Sequence, residues 1–318
     1  HKFHVLGGVQ YEYDKLRTAS IYKTNLIVQD VPSLNTAIGQ AIPDEDLNHW
    51  STLGYFGRFS YNYKEKYLLE TNARYDGTSR FREGKRWGFF PSFSLGWVAS
   101  REEFWERISP YVNILKFRGS WGQLGNQNVA AYQDLALIPL EAGALNYVFE
   151  SEGAFPIGYT RTPSLISRNL TWETVTTKNL GLFAAFFDQR LQIDFDVFER
   201  TTTDMIGPSE SRPGVLGASV PESNNATLRT RGWETVIKWK QSISPDFSYF
   251  INFNLQDHTT VVTQYNNPDK LIDDWYEGKQ HGEIWGYTSN GLFQTEEEIE
   301  QHADQSFFFG SWNTGDIK

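Results

Sequence analysis

The feature that most constrains this chain is a period of two in its side-chain chemistry, held over long stretches. From Tyr67 to Asp76, the residues Tyr67, Leu69, Thr71, Ala73 and Tyr75 alternate with Leu68, Glu70, Asn72, Arg74 and Asp76. One series is apolar or small with a tyrosine at each end, and the other carries the charges. Successive side chains of a strand point to opposite faces, so this pattern describes an extended chain between an apolar and a polar medium. The same dyad recurs where Leu191, Ile193, Phe195 and Val197 alternate with Gln192, Asp194, Asp196 and Phe198. It recurs again where Phe247, Tyr249, Ile251, Phe253 and Leu255 alternate with Ser248, Phe250, Asn252, Asn254 and Gln256. In 89–99 the odd positions hold Phe, Pro, Phe, Leu, Trp and Ala, against Ser92, Ser94 and Gly96.

Further strands are expected at about 1–13, 51–63, 112–123, 171–187 and 226–240, for about 9–10 in all. Tight links fall at 64–66, 188–189 and 242–246, with a moderate one around 100–111. Long connections fall at about 14–50, 124–170, 204–225 and 263–318. Short turns at one end and long loops at the other is the layout of an outer-membrane barrel, with the long loops outside the cell. A soluble β-sandwich has shorter strands and more regular turns. The fold expected is therefore all-β: 1–318 forms part of one antiparallel transmembrane β-barrel domain.

Composition agrees. The hydrophobic share is 39% but the aromatic share is 16%, with 11 Trp, 16 Tyr, 23 Phe and a single Met. Aromatic girdles over polar inner faces give that balance. No window approaches the roughly 18 consecutive apolar residues of a transmembrane helix, although a barrel strand needs only about 9–11 alternating ones. A net charge of −10 provides no basic stripe for nucleic acid. The absence of Cys removes disulfides, thiolate metal sites and Cys nucleophiles. The sequence opens and stops in mid-pattern, and is read as part of something longer.

Specific motifs then resemble one family. The runs Phe56-Gly57-Arg58, Lys66-Tyr67-Leu68-Leu69-Glu70, Arg74-Tyr75-Asp76-Gly77-Thr78-Ser79-Arg80-Phe81 and Arg86-Trp87-Gly88-Phe89-Phe90-Pro91-Ser92 come first. Leu115-Lys116-Phe117-Arg118-Gly119-Ser120-Trp121-Gly122, Leu170-Thr171-Trp172-Glu173, Arg231-Gly232-Trp233-Glu234 and Gly315-Asp316-Ile317-Lys318 follow in order. The ordered set resembles the SusC/RagA family of TonB-dependent outer-membrane transporters of Bacteroidetes. It departs at Trp121, where the family pattern has Tyr, and at Phe183, where an acidic residue is common. The resemblance implies a barrel of about 22 strands, of which the plug and the closing strands lie outside this sequence. It also implies a nutrient importer in the bacterial outer membrane, taking up oligosaccharides or peptides. The implied partners are a SusD-like surface lipoprotein as a lid, the TonB-ExbB-ExbD complex through segments not present here, and outer-membrane lipid.

No catalytic constellation is visible, and no cofactor is implied. The six His show no H-x-x-x-H spacing, and no G-x-S-x-G or phosphate-binding glycine loop occurs. Glu70, Arg74, Asp76, Arg118, Asp194 and Asp196 fall on the polar series and are expected to line the lumen. Aromatics of the long loops are the candidate substrate contacts: Tyr132, Tyr147, Trp275, Tyr276, Trp285 and Tyr287, whose flat rings could stack on sugars. The alternative for each is packing of loop on loop, or against a partner. Two other readings of the whole stay open: a siderophore or vitamin receptor with the same barrel, and a soluble carbohydrate-binding β domain.

Overall fold

The computed structural model describes every residue except 137, 139, 142–158, 161–162, 164, 208–213, 219, 305–306 and 308–309. It comprises two units, His1–His281 and Gly282–Lys318.

Among the described residues, the first unit is built on an antiparallel sheet of nine strands. They are β1 (Lys2–Tyr22), β2 (Ile42–Tyr63), β3 (Tyr67–Thr78), β4 (Trp87–Val98), β5 (Val112–Asn126), β6 (Glu173–Phe186), β7 (Leu191–Ile206), β8 (Asn224–Ser244) and β9 (Phe247–Gln264). Each pairs with the next in sequence, so the sheet is a pure meander with β1 and β9 at its edges. Two short pieces, Leu140–Glu141 and Tyr159–Thr160, pair apart from it.

Register carries the dyad from strand to strand. Phe59, Thr71, Phe93 and Trp121 lie in one row across β2 to β5. Leu182, Phe195, Thr235 and Leu255 make another row across β6 to β9. The apolar face is uncovered: Phe93 is 44% exposed, Leu95 52% and Phe253 53%. Rings border it on both sides. Tyr75 stacks on Trp87 at 4.8 Å near the long-loop end, and Trp97 stacks on Phe117 at 5.7 Å near the short-turn end.

Several strands run further than the alternation does. Residues 14–22 and 42–50, expected as loop, are paired residue for residue in β1 and β2. β7 likewise continues to Ile206 and β9 to Gln264. In these extensions (Asp14-Lys15-Leu16-Arg17-Thr18, or Arg200-Thr201-Thr202-Thr203-Asp204) polar residues occupy both faces. A ribbon with water on both sides has no reason to alternate, so its pairing leaves no period in the sequence.

The short turns are tight. Lys64 and Glu65 both take positive φ, 50° and 57°, which joins β2 to β3 with a twist matching the strands. The Glu65 N–H donates to Asn62 Oδ1 at 2.8 Å and the Lys66 N–H to the Tyr63 carbonyl at 2.9 Å.

At the long-loop end, Phe81, Phe90, Val129, Leu170 and Trp172 form a buried cluster. Trp172 meets Phe81 and Phe90 edge-on at 5.6 and 5.3 Å, and its indole N–H donates to the Arg86 carbonyl at 2.9 Å. Among its described residues the second unit contains a short helix, Glu296–Gln301, capped by the Thr295 hydroxyl. It also contains a bridge between Leu292 and Ile317.

Candidate functional site

The polar face of the sheet is the candidate site, and its side chains are held in pairs. On β5, Arg118 donates from Nη2 to Asp194 Oδ1 of β7 at 2.6 Å, and from Nε to Asp196 Oδ1 at 3.2 Å. A second Nη2 bond goes to Asp196 Oδ2. β6 lies between these strands, and the residue in that gap is Gly181, which pairs with both Arg118 and Asp196. A Cβ there would stand 2.4 Å from Arg118 Nε and from Asp196 Oδ1.

A second arginine–aspartate pair lies within β3. Arg74 makes a two-pronged contact with Asp76, at 3.0 and 2.9 Å. Gly54, opposite Asp76 on β2, leaves the room, since a Cβ would meet Asp76 Oδ1 at 2.2 Å. Glu70 lies in a third network. It accepts from Ser60 and Asn72, both at 3.2 Å, and lies 3.7 Å from Arg58. Bidentate arginine–carboxylate pairs fix the geometry of both partners. The polar face therefore presents ordered charges. A groove of about 580 Å³ runs over it, with Lys2, His4, Glu70, Lys116, Arg118 and Asp196 among its lining.

At the short-turn end, Glu102 ties two connections together. Its carboxylate accepts from Lys66 Nζ at 3.0 Å and from the Trp97 indole N–H at 3.2 Å. The hydrogen bonds from Lys66, Tyr67 and Trp97 hold the Glu102 carboxyl below the ordinary carboxylate range, and Glu102 raises Lys66 in turn.

The six residues expected on the polar series, Glu70, Arg74, Asp76, Arg118, Asp194 and Asp196, thus share one face, and five of them fall into the two arginine–aspartate sets. The loop aromatics are dispersed. The Tyr132 hydroxyl contacts His49 Nδ1 and accepts from the His49 N–H at 3.1 Å, which pins its loop to β2. Trp275 packs on Tyr265 at 6.1 Å beside Ala226 and Val262. The ring of Tyr276 carries the Lys279 ammonium at 5.5 Å. In the second unit, Trp285 is 60% exposed and donates to Glu283 Oε1 at 2.9 Å, and Tyr287 is 86% exposed. Tyr147 lies outside the described residues. Sequence reasoning missed Gly54 and Gly181, although a glycine at a polar-face position facing an Asp on the next strand is a usable signal. It also missed Trp172 as the anchor of the loops.

A nine-stranded meander with one uncovered apolar face, ring-bordered, and one face of ordered charges is the wall of an outer-membrane β-barrel. Residues 1–295 match the family described as TonB dependent receptor-like, beta-barrel, and the chain belongs to that family. It is similar to TonB-dependent receptor P3 of Formosa agariphila, 27% identical over 309 residues that make up 92% of this chain and 30% of that protein. It is also similar to TonB-dependent receptor SusC of Bacteroides thetaiotaomicron, 32% identical over 222 residues, 68% of this chain and 21% of that one. The fold matches the RagAB peptide importer in its closed-closed state with a TM-score of 0.70 and 20% identity, covering 84% of this chain and 29% of the other. The chain therefore spans under a third of the length of these relatives.

Proposed function

We propose that this chain forms part of the barrel of a SusC/RagA-type importer, which takes up oligosaccharides or peptides across the outer membrane with energy supplied through TonB-ExbB-ExbD. The short turns face the periplasm and the long loops the exterior, where a SusD-like lipoprotein covers them. The chain contributes barrel wall, lumen lining and part of the external rim, and it performs no covalent chemistry.

The observation that carries this reading is the division of the sheet into an apolar face and a face of immobilised ion pairs. Lipid requires the first, since strand backbones cross a membrane only in a closed sheet with apolar groups outside. A water-filled passage accommodates the second. The likeness to SusC and to RagAB supports the importer type. Deleting the full-length gene and following growth on single glycans and on peptides as sole carbon source tests it. Loss of growth on one such nutrient, restored by the intact gene, is expected. Unchanged uptake of every glycan and peptide, or loss of iron-chelate uptake alone, overturns the importer reading.

A further inference from the structure

We infer that the lipid-facing side of β6 to β8 holds a phosphate-bearing glycolipid of the outer leaflet, its phosphate seated on Lys178 and Arg231. This goes beyond transport, and takes from the reading above only that the long loops face the exterior.

The apolar series carries charge at its outer margin. Lys178 of β6, Glu199 of β7 and Arg231 of β8 lie side by side in register. Arg231 Nε donates to Glu199 Oε2 at 2.7 Å, and Lys178 Nζ lies 3.4 Å from Glu199 Oε1. The three side chains thus touch one another on the face that carries Leu180, Val197 and Trp233, the next row inward.

Their depth follows from strand tilt. The row that holds them passes through Phe93, midway between Trp87 and Trp97 of β4, and through Trp121. Barrel strands tilt by about 35–45° and lie about 4.8 Å apart, so such a row climbs by about 3 Å per strand. At β7 and β8 it stands about 9–12 Å above mid-depth, at the edge of an apolar band about 25 Å tall. The sequence gives the same direction of climb, because Leu191, Ile193, Phe195 and Val197 all lie on the short-turn side of Glu199. Trp233, one row further in, marks the level at which indoles meet headgroups. The charged cluster therefore lies at the headgroup boundary.

Charge and shape choose the occupant. Glu199 serves two cations, and Arg229, one row further out, has no ion-pair partner among the described residues. Asp257 lies opposite Trp233 on the edge strand, so Lys178, Arg229 and Arg231 face two carboxylates and leave net positive charge. The side chains of Lys178 and Arg231 are each 64% exposed and that of Glu199 25%, which turns the cations outward. Guanidinium and ammonium groups at this level pair with headgroup phosphates. Gln123, Thr176 and Thr201 form the next row out, and their amide and hydroxyls suit a headgroup built of sugar hydroxyls. Inward of the cations, an apolar groove of about 430 Å³ runs from Leu180 over Gly119 to Leu95, Phe117 and Trp97. Gly119 keeps it open, since a Cβ there would stand 3.3 Å from Leu180 Cδ2. Sugar, phosphate and acyl chain are met in the order in which one such lipid carries them.

The test uses the full-length transporter, delipidated in detergent, and native mass spectrometry. The probes are monophosphorylated lipid A, the same lipid without its phosphate, phosphatidylglycerol and inorganic phosphate. Lys178→Gln and Arg231→Gln are compared with Glu199→Gln and with Arg101→Gln, which removes a cation at the short-turn end. Heat-modifiable migration confirms that each variant is folded. Binding of monophosphorylated lipid A is expected, weakened about tenfold or more by each of the first two variants, as for loss of a hydrogen bond to a charged group. Glu199→Gln should not weaken it, and Arg101→Gln should leave it unchanged. Affinity that survives both cation variants, or that Glu199→Gln lowers as much as Arg231→Gln does, overturns the site. Equal binding of the dephosphorylated lipid overturns the phosphate contact, and equal binding of phosphatidylglycerol overturns the glycolipid. Inorganic phosphate bound as tightly as the lipid overturns a lipid occupant. An epitope inserted at Gly217, between β7 and β8, is expected to be accessible on whole cells, and a hidden epitope overturns the outer-leaflet placement.

Discussion

Arg118 reaches Asp196 across an intervening strand because the residue between them, Gly181, has no side chain. The contact cross-links β5 to β7 over β6, and it also takes in Asp194. Gly181→Ala is expected to separate the pair and to destabilise the barrel by about 1.5–3 kcal/mol, the range for hydrogen bonds to charged groups. Arg118→Ala should cost a similar amount. The double variant should cost little more than either alone, since both remove the same contact. Denaturant unfolding of the full-length protein in detergent gives all three values, and additive losses would show that Gly181 acts independently of Arg118.

Glu102 predicts an acid-sensitive clamp at the short-turn end. Its carboxyl is depressed below the ordinary 4.5 by hydrogen bonds from Lys66, Tyr67 and Trp97. A depressed carboxyl contributes stability that is fully present above its unfolded value and is lost as pH falls through the lower folded value. Lys66, raised above 10.5 by the same contact, contributes below that pH and loses its share as pH rises through the folded value. Glu102→Gln should therefore lower the thermal midpoint most near neutral pH, and the gap to wild type should close as the pH falls below the ordinary 4.5 and through the depressed folded value. A gap that stays constant throughout the acid range would contradict the assignment.

What could be read in advance follows from where water lies. In 67–76 one face meets an apolar medium and the other a polar one, so the alternation of Leu69 with Glu70 and of Ala73 with Arg74 exposes strand, face and register together. In 14–22 both faces meet water, and pairing such as Leu16 with Asn48 leaves no trace. The turn at Lys64-Glu65 is legible as a break, but its positive φ values are not, because neither residue is a Gly or Asn. The polar residues of the candidate site came from the dyad alone. Their pairing did not, since Gly54 and Gly181 matter through the space they leave. Trp275 and Tyr132 are conspicuous as loop aromatics, yet whether a ring packs or binds depends on neighbours such as Tyr265 and His49 that lie far off in sequence or across a loop.

Trp172 predicts how the long loops are held. It packs edge-on against Phe81 and Phe90 and donates to the Arg86 carbonyl, so it secures the 79–86 connection to the sheet. That connection carries Arg80, Arg82, Lys85 and Arg86, each a trypsin site. Trp172→Ala removes a ring of the kind whose loss from a packed cluster costs about 3–5 kcal/mol, and most of that loss should appear as local opening. Trypsin cleavage within 79–86 is expected to accelerate at least tenfold, while heat-modifiable migration of the barrel stays as in wild type. Equal cleavage rates would show that the cluster does not hold this loop.

The two faces of β4 predict opposite responses to one substitution at adjacent positions. Phe93 lies midway between Trp87 and Trp97 on the apolar face, paired with Thr71 and Trp121. Ser94 lies on the polar face, paired with Glu70 and Ser120. An arginine on the lipid face at mid-depth costs about 2–4 kcal/mol because its charge leaves water for hydrocarbon. An arginine at 94 enters the polar groove beside Glu70, where it remains hydrated and faces an acceptor. Phe93→Arg should therefore lower both the folded yield in the outer membrane and the unfolding free energy in lipid by that amount, and Ser94→Arg should change neither by more than about 1 kcal/mol. Reversal of the two results, or equal sensitivity at both positions, would mean that lipid does not lie against the Phe93 face. Because residues 93 and 94 share strand and depth, the comparison separates the facing of the side chain from its position along the strand.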